Sequence, residues 1–142
     1  MSSHPTIDAL GAEYLTLGLE LERLVPGFVD AYMGPDDLRT RANAGPTPDP
    51  AALLDRAERL ATSVRISDYD DNRKEFLRAQ IAGLITSCRK LAGEEIGYID
   101  EVSASFDITV AYTPDESLDE SIRELDRWLP GDGSVRERQI AY

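Results

Sequence analysis

The sequence predicts an all-α fold, an irregular bundle of about six helices with one short extended segment near 107–112. Three observations carry this. Apolar residues recur at spacings of three and four in several long stretches. Proline and glycine punctuate the chain between those stretches. The only run that alternates like a strand, Phe106 to Tyr112, has no second strand-like run to pair with. It reads as a helix end followed by an extended loop.

The first helix is the clearest. Ile7, Leu10, Tyr14, Leu17, Leu21 and Leu24 fall on one stripe, while Asp8, Glu13, Glu20, Glu22 and Arg23 fall off it. Thr6, after Pro5, is the expected N-cap. Val25-Pro26-Gly27 breaks the helix. A short apolar piece, Phe28 to Met33, runs up to Gly34-Pro35. Pro35 suits the first position of a second helix, with Asp36 and Asp37 in its positive first turn, Leu38 and Ala42 inward, and Gly45 as its end.

Pro46 to Pro50 is a rigid loop between helices, too short to separate domains. Asp49 is placed to cap a helix from Pro50, whose inner face is Leu53, Leu54, Ala57, Leu60, Ala61 and Val64. The next helix starts at Ser67 or Asp68 and runs to Gly93. Its core stripe is Phe76, Leu77, Ile81, Leu84, Ile85, Cys88 and Leu91. Ile96, Ile99, Val102 and Phe106 have helical spacing, with Gly97 as an interruption. Thr113-Pro114-Asp115-Glu116 reads as a capping box at the start of a helix that buries Leu118, Ile122, Leu125 and Leu129. Pro130 to Gly133 closes it. Ser134 opens a last helical pattern, Val135 to Ile140, with no Gly, Pro or polar tail after it.

A length of 142 fits one domain with its own core, and residues 1–142 read as a single helical domain. Hydrophobic residues make up 42% and charged residues 30%, enough to fill a core and coat a helical surface. A formal net charge of -12 argues against nucleic acid, whose phosphates need a basic face, and against anionic membrane surfaces. No apolar run reaches the length of a membrane span. The first residues lack the basic and apolar regions of an export signal, and a lone cysteine agrees with a reducing compartment. The expected location is therefore cytoplasmic. Thirteen of the 15 basic residues are arginine, a bias that says little about function.

Few residues suit chemistry. His4 is the one histidine and Cys88 the one cysteine. Zinc needs three or four ligands held tetrahedrally, so no metal ligand is assigned and no cofactor is expected for this chain. Cys88 lies on a core stripe and reads as a small buried hydrophobe. The run Asp68 to Asn72 is not a calcium loop, because the sixth and twelfth positions hold Arg73 and Ala79 instead of glycine and glutamate. Asp36-Asp37 and Glu94-Glu95 read as solvated charge. No phosphate-cradling glycine loop or nucleophile turn is present. No catalytic residue is assigned.

Asp30 and Tyr32 are the candidate substrate-binding residues. They lie between two Pro/Gly breaks, where a turn can aim a carboxylate and a phenol into a groove. In the plainer alternative, Asp30 caps locally and Tyr32 packs with its hydroxyl at the surface.

The stretch Leu24-Val25-Pro26-Gly27-Phe28-Val29-Asp30-Ala31-Tyr32-Met33-Gly34-Pro35 resembles a segment near the start of uncharacterised, mainly bacterial proteins with a zinc-peptidase signature. Phe76 to Gln80, Arg89 to Glu94 and Leu125 to Gly131 fit the same resemblance in the same order. It covers nearly the whole chain and the front portion of a typical member. It implies a mostly helical, metallopeptidase-like fold whose His-Glu-x-x-His helix holds zinc and supplies the general base. This sequence has no such motif, so no zinc ligand or catalytic base carries over. The helical framework does, with a cleft-lining role for Asp30 and Tyr32.

Three readings follow. The first is a non-catalytic N-terminal helical framework of a zinc-dependent peptidase-like protein, completed by a downstream segment or by a homo-oligomer partner. The second is a self-contained acidic module that binds another protein in a groove between the first helix and the 53–64 helix. The third, a small hydrolase using carboxylates, needs converging acids that no spacing here requires.

Overall fold

The computed structural model describes residues 7–141. Among them are seven helices and no strand: α1 (Ala9–Glu22), α2 (Asp36–Ala44), α3 (Pro50–Ile66), α4 (Asp71–Leu91), α5 (Tyr98–Phe106), α6 (Asp115–Trp128) and α7 (Val135–Ala141). The all-α class is as expected. The chain forms two compact units, residues 1–109 and 110–142.

In the first unit the core lies among α1, α3 and α4. Leu17 and Leu21 of α1 meet Leu53, Ala57, Leu60 and Val64 of α3 and Leu77, Ile81, Leu84 and Cys88 of α4. Leu10, Tyr14 and Leu24 pack at its edge, so the expected α1 stripe is inward. Ile7 departs from it and packs with a second cluster, Leu19, Leu38 and Ala42, between α1 and α2. Helix α1 is therefore apolar on two sides, and Leu15 and Leu19 were not on the expected stripe. Glu13 and Glu20, off that stripe, both take Arg56 of α3, at 2.9 and 2.5 Å.

The helix ends are set by side chains. Thr6, the expected cap of α1, lies outside the described residues. Asp8 is the N-cap, accepting from the Gly11 N–H at 2.8 Å. Its carboxylate also accepts the Tyr69 hydroxyl at 2.5 Å, which ties the start of α1 to the α3–α4 loop. The Tyr69 bond and then the Gly11 N–H hold the Asp8 carboxyl below its ordinary value. Asp49 caps α3 as expected. Helix α4 starts slightly later than expected, at an Asp70 cap that accepts from Arg73 N–H. Phe76, expected in the core, is exposed, because the α4 stripe turns inward one residue later at Leu77. Leu91, at the far end of that stripe, is also exposed.

Helix α5 begins after Gly97, which stands at the helix boundary, and packs on α4. It buries no residue fully, and Ile99 and Phe106 of its expected stripe are exposed. It ends at Asp107, whose φ of 53° is left-handed. Residues 108–114 form neither helix nor strand, so the alternating run does not become a strand.

The second unit contains α6 and α7. Thr113 does not cap α6: Pro114 stands at the N-cap with no side-chain bond, so the expected capping box is absent. The box forms at α7 instead, where Ser134 and Glu137 bond reciprocally. Arg138 of α7 reaches back to α6. It donates to the Asp126 and Leu129 carbonyls and pairs with the Asp126 carboxylate. The expected inner face of α6 is not buried. Leu118, Ile122 and Leu125 are 49%, 53% and 41% exposed, Leu129 is half-buried, and Trp128, outside the expected set, is 78% exposed. Amphipathic spacing identifies a helix and its apolar side, but only a neighbour's packing buries that side.

Candidate functional site

Asp30 and Tyr32 lie on a segment whose shape is built by its own sequence. Gly27 has φ +89°, a left-handed turn that suits glycine. The Glu22 carboxylate, at the end of α1, accepts the Gly27 and Val29 N–H groups at 3.0 and 2.8 Å. Those two bonds hold its carboxyl below the ordinary value. The segment then folds over itself at Gly34. The Tyr32 hydroxyl donates to the Pro35 carbonyl at 2.8 Å. Its ring lies so close that a Cβ at Gly34 would sit 2.6 Å from the phenol oxygen. Arg39 of α2 stacks on the same ring, 4.5 Å from its centroid, and donates to the Tyr32 carbonyl. Burial pushes the Tyr32 phenol up.

This segment forms one wall of a groove of about 600 Å³. Helix α1 contributes Tyr14, Leu15, Gly18 and Leu19. Helix α4 contributes Gln80, Gly83, Leu84 and Ser87, and Ser105 closes one part from α5. Asp30 and Tyr32 both line it, so the structure brings the two sequence candidates to one place. Their situations differ. Tyr32 has its hydroxyl engaged by Pro35 and one ring face by Arg39. Asp30 is exposed, and no hydrogen bond or ion pair engages its carboxylate among the described residues.

Sequence reasoning missed the opposite wall. The Tyr14 hydroxyl donates to Gln80 Oε1 at 3.3 Å, both residues lining the groove, and burial pushes the Tyr14 phenol up. Two glycines interrupt helical stretches here, Gly18 and Gly83, and those interruptions were the available signal. The groove also lies on a different side of α1 from the one expected for a protein-binding module. The α1–α3 face is filled by core side chains and fenced by the Arg56 pairs.

The other residues singled out by type are accounted for locally. Cys88 is fully buried, with its thiol pushed up by burial. Asp70 and Asp71 start α4, Asp37 pairs with Arg41, and Glu94 pairs with Arg89. His4 lies outside the described residues. Zinc, implied for the family by the resemblance, does not fit the described residues: no group of three or more His, Cys, Asp or Glu converges among them. No helix among the described residues is long and apolar enough to cross a membrane.

No family model, curated protein or solved structure matches this chain. The site is therefore read from its own geometry. It offers a half-open apolar trough, one unengaged carboxylate and a few hydroxyl and amide groups. Among the described residues no hydrogen bond joins a serine or tyrosine hydroxyl of the groove to Asp30.

Proposed function

We propose that this chain is a non-catalytic helical framework of a zinc-dependent peptidase-like protein, and that its exposed apolar faces are covered by another polypeptide. The observation that carries the proposal is the face of α6. Leu118, Ile122, Leu125 and Trp128 form a helical stripe, and all four are exposed. Tyr98, Phe106 and Tyr112 add large apolar surface in the first unit and at the start of the second. The partner is a further segment of the same protein or a second copy of the chain. Asp30 and Tyr32 line the cleft of the framework. Cys88, buried and unpaired, suits the reducing cytoplasm in which we place it.

A second reading keeps the chain as an acidic interaction module. It draws on the same helix, in which Asp115, Glu116, Asp119, Glu120, Glu124 and Asp126 surround the apolar stripe. That combination suits a basic groove that receives an amphipathic helix. Salt-sensitive capture of a basic partner favours this reading, because exposed charge pairs are screened.

Sedimentation velocity and dye binding test the framework proposal. The isolated chain is expected to self-associate or to bind an apolar dye such as anilinonaphthalene sulfonate. Replacing Leu118, Ile122 and Leu125 together by glutamate should reduce either signal several-fold. A compact monomer that binds no dye contradicts the proposal.

A further inference from the structure

We propose that the groove beside α1 binds a small amphiphilic organic cation, an ammonium group on an apolar body, with Asp30 opposite the charge. This gives a ligand class to the cleft-lining role assigned to Asp30 above. It rests on that role and is independent of α6.

The first argument is charge. Asp30 is the single charged residue among those lining the groove, and its carboxylate has no partner among the described residues. No lysine or arginine is among the residues lining the groove, and Arg39, on the Tyr32 ring, donates to the Tyr32 carbonyl and forms no ion pair with Asp30 among the described residues. The whole chain carries -12, so its long-range field also draws cations inward. An anionic ligand meets repulsion from both sources, and a neutral one leaves Asp30 unused.

The second argument is shape and lining. Leu15, Leu19, Phe28 and Leu84 give an apolar body a place to rest, and about 600 Å³ is a volume suited to small ligands. The Tyr14–Gln80 pair, Ser87 and Ser105 provide a few polar contacts of the sort that orient such a ligand.

The third argument comes from two glycines. Gly18 and Gly83 are interior to α1 and α4, where glycine weakens a helix relative to alanine. Packing does not require them. A Cβ at Gly18 would have Val29 Cγ2 at 3.9 Å as its one near neighbour, and at Gly83 it would meet Ser105 at 3.6 and 3.8 Å, ordinary contact distances. Both line the groove. Neither therefore carries a side chain on the groove wall, although alanine would fit there and strengthen the helix.

The test is NMR titration of the full chain with octylammonium, 1-octanol and octanoate, read at the amides of Gly18, Ala31 and Gly83. Octylammonium should give saturable shifts at these amides and bind about fivefold tighter than the alcohol, with octanoate weakest. Asp30→Asn, at an exposed position, should bring the ammonium and the alcohol within about twofold of each other. Gly18→Ala and Gly83→Ala should each raise Tm by about 3–6 °C and weaken octylammonium about threefold or more. The proposal is overturned by three results: no saturable shift at these amides up to ~10 mM, equal binding of alcohol and ammonium, or an unchanged preference in Asp30→Asn. A lower Tm in either alanine variant removes the glycine argument and counts against it. If acetyl-Leu-Leu-Lys-Leu-Leu-amide binds these amides more than about tenfold tighter than octylammonium, the groove belongs to a protein partner and the small-cation assignment fails.

Discussion

Helices α4 and α6 carry the same sequence signal and meet different fates. Each has apolar residues at three- and four-residue spacing, at least one acid in its first turn and at least one basic residue in its last. In α4, Leu77, Ile81, Leu84 and Cys88 are 5% exposed or less, because α1 and α3 pack over them. In α6, the equivalent residues Leu118, Ile122 and Leu125 are at least 41% exposed. Arg138 of α7 fixes the end of α6 without covering its stripe. Periodicity thus reports which side of a helix is apolar. Burial depends on a second surface, and α6 lacks one among the described residues of its own unit.

The sharpest contrast comes from truncating one leucine in each helix. Leu77→Ala in α4 should destabilise the first unit by about 2–5 kcal/mol, through lost transfer energy and a cavity. Leu125→Ala in α6 should change stability by less than about 0.5 kcal/mol. Urea unfolding of the full chain measures both. Equal losses would erase the difference between the two helices.

A smaller effect is expected at the turn that forms the groove wall. Gly34→Ala drives a Cβ against the Tyr32 ring and breaks the hydroxyl bond to Pro35. The expected loss is about 1–2 kcal/mol. Tyr32→Phe, which removes the bond without the clash, should lose about 1 kcal/mol or less. Indifference to both changes would mean that the first unit does not depend on this turn.

The α1 cap adds a pH-dependent term. The folded Asp8 carboxyl lies below its unfolded value of 3.8. Its contribution is therefore complete above about pH 4 and is lost as pH falls through the lowered folded value. At the alkaline end, burial and then the Asp8 bond push the Tyr69 phenol up to about 12 from 10.0. That contribution is complete below pH 10 and lost as pH rises through about 12. Asp8→Ala should cost about 1 kcal/mol at neutral pH and flatten the acid limb. Because this contact belongs to the first unit, exchange of α6 amides should not respond to it.

Local chemistry explains which parts of this arrangement were legible in the sequence. The Asp49 cap, the Gly45 end, the α3 face and the inward α1 stripe depend on neighbours within a turn, and those could be read. Asp8 caps α1 through the nearby Gly11 N–H, but its second bond, from the Tyr69 hydroxyl 61 residues away, could not be read from local sequence. Thr113 had the pattern of a capping box, but α6 begins one residue too late for it. Phe76 and Leu77 are both apolar and adjacent, so a small error in phase put both in the core. For the groove, Asp30 and Tyr32 were visible as a turn between two breaks. Tyr14 and Gln80 were not, because their meeting depends on how α1 and α4 cross.

Amide hydrogen exchange of the full chain tests the central claim most directly. The account predicts that the core amides of α1, α3 and α4 exchange only through cooperative unfolding of the first unit. It predicts that α6 amides exchange far faster, through local opening. Protection of α6 equal to that of α4, with the same denaturant dependence, would contradict it, because the α6 face would then already be buried.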